Sequence, residues 1–175
     1  MARSLKGLVE VKVSGKLTND SSGAEDSFGE AIVNSFSSGT AANKAQRFWE
    51  DQRALTASQA EDIDVFDFGS IDIGAGAGLD TLGQALALTG IKALLVQNLS
   101  TSAGAVHVGN KNATTAWNSM FNADDTGQIT LAPGASFLYV DPSAAGLAVA
   151  DTSNHLLTFT DAGSGCTYKV TLLGI

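Results

Sequence analysis

The sequence predicts an all-β protein: an antiparallel β-sandwich or jelly roll of about eight to ten strands with an N-terminal arm. Three observations lead there. Residues 91–175 are a near-continuous series of short apolar runs (IKALLVQNLS, GAVHVG, TGQITLAPGASFLYVDP, AGLAVADTS, HLLTFTDAGSG, TYKVTLLGI) separated by turn residues. Gly is abundant at 19 residues against 2 Pro, which favours tight turns and close packing over long helices. The chain of 175 residues is the size of one domain that can bury a core without disulfides or metal.

The elements follow in order. LVEVKVSGKL within residues 5–17 alternates apolar and charged side chains, as a half-buried strand does. Residues 18–29 (TNDSSGAEDSFG) are polar and Gly/Ser-rich and predict a loop, so residues 1–29 form an arm and residues 30–175 the sandwich domain. Residues 31–36 suit another strand, and residues 37–43 a loop. KAQRFWEDQRALTAS fits a helix or a strand; two antiparallel strands joined by ALTASQAED are favoured, because residues 61–68 alternate acidic and apolar side chains and read as a strand with a wet acidic face. Residues 71–79 predict a Gly/Ala loop or a glycine-rich edge, and residues 82–90 a short helical turn or strand. Strands are expected at 91–97, 105–108, 115–121, 128–131, 137–140, 147–149, 156–160 and 167–173, with a type II-like turn at Pro133-Gly134.

Charge narrows the function classes. Only 16% of residues are charged, low for a free surface and suited to one covered by partners. Residues 1–60 hold seven basic and seven acidic side chains, and residues 61–175 three and eleven, which gives 0 and −8 for the total of −8. An acidic body without a concentrated basic patch argues against nucleic acid as a partner. No apolar stretch is long enough to span a bilayer as a helix, and MARSLKGLVEVKV lacks a secretory signal's apolar region, so neither membrane insertion nor export is expected. The Asn-x-Ser/Thr triplets at Asn19, Asn98 and Asn112 are then chance matches. Cys166 is the single cysteine, which excludes an intrachain disulfide.

No motif carries chemistry. Glu61, Asp62, Asp64, Asp67 and Asp72 suggest calcium but lack EF-hand spacing, and a solvated strand face is the ordinary outcome of such a run. Asp124-Asp125 reads as a turn initiator. Gly74, Gly76 and Gly78 lack the Lys-Ser/Thr pair of a phosphate loop. His107 and His155 have no ligand-spaced neighbours, and Cys166 has no nucleophile signature. Trp49, Trp117 and Phe48 suit either a sugar platform or core and subunit contacts. No catalytic, cofactor-binding or metal-binding residue is therefore expected, and no cofactor.

FWEDQRALTASQAEDIDV, GIKALLVQNLS, ITLAPGASFLYVDPSAAGLAVADTSNHLLTF and TYKVTLLGI resemble a family of small tailed-bacteriophage virion proteins over most of the chain after about residue 30. The resemblance rests on Trp49, Asp51 and Arg53, on Pro133-Gly134, on Asp141-Pro142 before Gly146 and Val149, and on the closing Leu172, Leu173, Gly174 and Ile175. These motifs are structural, and among virion parts the chain is most similar to a capsid decoration (cement) protein.

That resemblance implies a non-enzymatic β-sandwich or jelly roll, a homotrimer on the capsid surface of the virion, assembled in the host cytoplasm, with the major capsid protein as partner. The arm would reach a neighbour by strand addition. The residues expected to meet partners are Leu5, Leu8, Val9, Val11 and Val13 on the arm, with Trp49 and Arg53. The alternatives are a neck or tail structural protein, a host-receptor or glycan-binding fibre head with Trp49 and Trp117 in one groove, and a polysaccharide or peptidoglycan hydrolase built on paired carboxylates among Asp62, Asp64 and Asp67.

Overall fold

The computed structural model describes residues 4–18, 22, 25–68, 85–109, 115–121 and 127–175. Among them are twelve strands and no helix: β1 (Lys6–Thr18), β2 (Glu25–Ser38), β3 (Lys44–Ala45), β4 (Arg47–Leu55), β5 (Ala60–Asp64), β6 (Gly90–Asn98), β7 (Val106–Gly109), β8 (Gln128–Leu131), β9 (Ser136–Val140), β10 (Leu147–Ala148), β11 (Leu156–Asp161) and β12 (Cys166–Gly174). The protein is all-β, and nine of these strands, β4 to β12, build the sandwich.

One sheet has the order β4-β12-β6, with β9 and β10 sharing the far edge of β6, and the other runs β5-β11-β7-β8. The pairing has a simple logic. β4 pairs with β12, β5 with β11, β6 with β9 and β7 with β8, all antiparallel, so the chain is one long hairpin ribbon with β7 and β8 at its tip. The ribbon is wrapped so that β12 meets β6 and β11 meets β7, which is the order of a jelly roll. From β4 to β7 successive strands consequently change sheets. β4 and β5, expected to be antiparallel neighbours, lie in opposite sheets, because each finds its hydrogen bonds with a strand from the other end of the chain.

The main core fills the space between the sheets and includes Trp49, Leu55, Ile63, Phe68, Leu94, Val96, Val106, Val108, Trp117, Leu157, Phe159, Tyr168 and Val170. Phe159 stacks on Tyr168 at 4.4 Å between centroids, and Trp49 tilts against Phe68 at 4.9 Å. Pro133-Gly134 makes the expected type II turn between β8 and β9: Gly134 has φ 77° and the Ala135 N–H donates to the Ala132 carbonyl at 2.9 Å.

Several expectations need correction. β2 begins at Glu25, so the boundary placed at residue 29 falls inside a strand, and β1 and β2 form one hairpin of thirteen paired positions. The cause is Phe28, Ile32 and Val33, β-formers that carry the strand back through a polar stretch. Residues 115–121 are not a strand; they touch β11 through one bridge, Ala116 to Leu156, and bury Trp117, whose indole donates to the Ala148 carbonyl at 2.8 Å. β5 ends at Asp64, where the carboxylate accepts the Phe66 N–H at 2.9 Å and turns the chain. Residues 85–88 lie outside any named strand. The Gly/Ala loop with Asp72, the Asp124-Asp125 pair and Leu82 lie outside the described residues.

Candidate interaction surface

The two sheets treat their outer faces differently. On the β5-β11-β7-β8 sheet, Asp62, Thr158, Thr160, His107, Thr130 and Gln128 alternate with the core residues and take the outward parity, although Thr158 is itself buried. On the other sheet the outward positions at one end are Val140 and Leu138 on β9, Ala93 and Leu95 on β6, Leu173 on β12 and Phe48 on β4. That apolar end needs a cover. The root of the β1–β2 hairpin supplies part of it: Phe36, Ala45, Ala93 and Leu173 form a second, smaller core, with Leu5, Val9 and Val140 packed against it.

Hydrogen bonds fix the root. The Leu5 N–H donates to Ser38 Oγ, which donates back to the Leu5 carbonyl at 3.3 Å. The Gln46 N–H reaches the Gly174 carbonyl, and the Asn43 N–H the Pro142 carbonyl, each at 2.8 Å. Beyond the root the hairpin leaves the body. Direct pairing sets its faces: Val9 with Asn34, Val11 with Ile32, Val13 with Glu30 and Gly15 with Phe28 share one face, and Leu8, Glu10, Lys12, Ser14 and Lys16 with Ser35, Val33, Ala31, Gly29 and Ser27 share the other.

The first face is an apolar stripe. It is buried at Phe36, half-buried at Val9, and then exposed at Val11 (38%), Val13 (59%), Ile32 (65%) and Phe28 (61%). The Phe28 ring lies over Gly15, where a Cβ would stand 2.6 Å from Cζ, so the aromatic fills the space the glycine leaves on this face. On the other face Leu8 (62%) and Val33 stand among polar groups. Between β1 and the open part of the sheet's outer face runs a groove of about 520 Å³, lined by Leu5, Lys6, Leu8, Phe48, Leu95 and Leu138 among others. A ribbon of two strands is marginal in water unless something covers it, and large exposed apolar patches mark interaction sites.

The expected partner residues therefore divide. Leu8, Val11 and Val13 are exposed on the ribbon, whereas Leu5 and Val9 belong to its root. Trp49 is only 4% exposed and faces the core from β4, because its parity in the strand is that of Leu55. It is not a surface residue. Trp117 is 1% exposed, so the two tryptophans form no sugar-binding groove. Arg53 is half-buried and held by its own chain: its Nε and Nη2 donate to Glu61 Oε2 at 2.8 and 2.6 Å, and its Nη1 to Asp51 Oδ2 at 3.0 Å. These carboxylates hold its pKa above the ordinary guanidinium value, Glu61 most strongly. Tyr168 donates to Glu61 Oε1 at 2.5 Å; burial first, and then this carboxylate, raise the phenol well above its usual pKa. Glu61 thus shares the inward parity of Ile63 and does not lie on a wet acidic face.

The other polar residues singled out in the sequence have local contacts, although His155 Nδ1 is buried without a hydrogen-bond partner. Asp62 accepts from Thr158 Oγ1 at 2.6 Å. Asp64 lies 3.8 Å from His155 Nε2, a contact the sequence did not reveal, and burial raises its pKa. His107 Nδ1 is 2.9 Å from Thr130 Oγ1. Among the described residues no group of three or more His, Cys, Asp or Glu is arranged to hold a metal, and no helix is long and apolar enough to cross a membrane. Lys92, on β6, is fully buried, and its ammonium donates to the Ser143 and Ala144 carbonyls, pinning residues 141–146 to the sheet; burial lowers its pKa.

Comparison with protein-family models, curated proteins and solved structures finds no match for the chain.

Proposed function

We propose that this chain is a non-enzymatic structural protein of a tailed-bacteriophage virion, which decorates and stabilises the capsid shell as an oligomer, with the major capsid protein and its own copies as partners. The observation that carries the reading is the β1–β2 ribbon, which stands out from a jelly-roll body and exposes Val13, Phe28 and Ile32 on one face. A monomer gains nothing from such a ribbon, whereas an assembly covers it. The resemblance of residues after about 30 to small virion proteins supplies the setting, and the low fraction of charged residues fits a surface that is largely covered.

The body serves as the platform. Asp161 binds backbone, Glu61 binds Arg53 and Tyr168, and Asp62 binds Thr158, which suits a rigid scaffold. Sedimentation with purified capsid shells tests the reading. The protein is expected to co-sediment with assembled shells and not to bind unassembled major capsid protein. Absence of shell binding by well-folded protein overturns it.

A further inference from the structure

We propose that the ribbon of one copy packs its Phe28–Ile32 face into the groove beside β1 of a second copy. The proposal deepens the decoration reading by naming what covers the ribbon, and it takes from that reading only that the protein assembles.

Three observations point to a second copy. First, the buried root of the stripe, at Leu5, Val9 and Phe36, already packs on Ala93, Leu173 and Val140 of the sheet's outer face. The open groove continues that same surface through Leu95, Leu138 and Phe48, so the exposed part of the stripe matches the exposed part of the face its own root selects. Second, one specific ion pair is available. Glu30 is opposite Val13, between Phe28 and Ile32 on the inserting face, while the groove lining holds Lys6 as its cation beside one acid, Glu10, so the pairing is with Lys6 and not with the groove's net charge. Neither Glu30 nor Lys6 has an ion-pair partner among the described residues. Third, the ribbon needs cover to persist, because two strands alone do not bury enough apolar surface.

Ribbon and groove lie at different places on one chain, so the contact is head-to-tail. Such contacts close into rings or propagate, unlike a two-fold pairing of ribbon on ribbon.

Analytical ultracentrifugation tests this with two variants changed only at exposed or half-exposed positions. A ribbon variant, Phe28→Ser with Ile32→Ser, keeps its groove; a groove variant, Phe48→Ser with Lys6→Glu, keeps its ribbon. The wild type is expected to sediment as an oligomer, each variant alone as a monomer, and an equimolar mixture as a dimer held by the one remaining ribbon–groove contact. In a separate pair, Lys6→Glu and Glu30→Lys should each weaken association, and the double exchange should restore it. A groove variant that still self-associates, a mixture that stays monomeric, or no restoration in the double exchange overturns the proposal. A wild type that is monomeric yet co-sediments with shells also overturns it, together with the oligomeric part of the decoration reading, while leaving shell binding standing. An oligomer that ignores shells does the reverse.

Discussion

Arg53 on β4 and Glu61 on β5 are joined across the two sheets by paired hydrogen bonds of 2.8 and 2.6 Å to one carboxylate oxygen, while Tyr168 on β12 donates to the other. This clasp closes the edge of the sandwich where β4 and β5 separate into different sheets. Hydrogen bonds to charged groups with restricted water access contribute about 1.5–3 kcal/mol. Glu61→Ala is expected to lower stability in urea by about 2–4 kcal/mol, leaving Arg53 half-buried without its main partner. Tyr168→Phe should cost less, about 1–2 kcal/mol, because Arg53 still satisfies Glu61.

Trp49 and the ribbon residues should separate stability from assembly. Trp49→Ala is expected to cost about 3–5 kcal/mol, measured by urea unfolding, because it opens a cavity beside Phe68. Phe36→Ala, at the ribbon's root, should fall in a similar range. Val13→Ser and Ile32→Ser should stay within about 0.5 kcal/mol of wild type, as exposed positions do, while abolishing or weakening self-association. Equal destabilisation by Ile32→Ser and Phe36→Ala would show that the stripe is packed along its whole length within one chain.

Alkaline pH should report on Cys166. Its thiol is pushed up to about 11, by burial first and then by the nearby Asp161 carboxylate. An unfolded thiol ionises from about pH 8.5, whereas the folded one remains protonated. The stabilising contribution is therefore complete below about pH 8.5 and is lost as pH rises through about 11. Cys166→Ala should flatten the fall in stability over this window in urea titrations at successive pH values. Tyr168, raised in the same direction, adds a loss of the same sign above about pH 10, which Tyr168→Phe should remove.

Gly104 tests the close approach of two loops. It has φ 87°, and a Cβ there would stand 1.8 Å from the Gly165 carbonyl oxygen. Backbone has no flexible end to yield, so Gly104→Ala should destabilise by at least about 1–3 kcal/mol in the same assay.

The sequence revealed the jelly roll's strands well where alternation and turn chemistry agreed. β8 and β12 follow from QITL and TYKVTLL, and the turn between β8 and β9 from Pro133-Gly134. Pairing partners were not legible, because β4 finds β12 more than a hundred residues away and nothing local encodes that contact. Trp49 misled for a related reason. Phe48 and Trp49 are adjacent, so alternation puts one outside and one inside, and only the register with Leu172 and Leu173 on β12 settles which. The outer apolar face did leave a trace: residues 91–96 (IKALLV) show almost no alternation, as expected of a strand covered on both sides. The first part of β2, before the strand expected at residues 31–36, was hidden because Ser, Gly, Glu and Asp outnumber Phe28 and Ile32 over residues 22–32, and the ribbon's apolar stripe emerges only when β1 and β2 are set side by side.

The central claim is that this is a part repeated over a capsid surface. Cryo-electron microscopy of an intact particle, with the protein's copies counted and placed on the shell, tests it most directly. The account predicts copies on the order of hundreds on the icosahedral lattice, each with its ribbon covered. A single ring of a dozen or fewer copies at the neck or tail would contradict it.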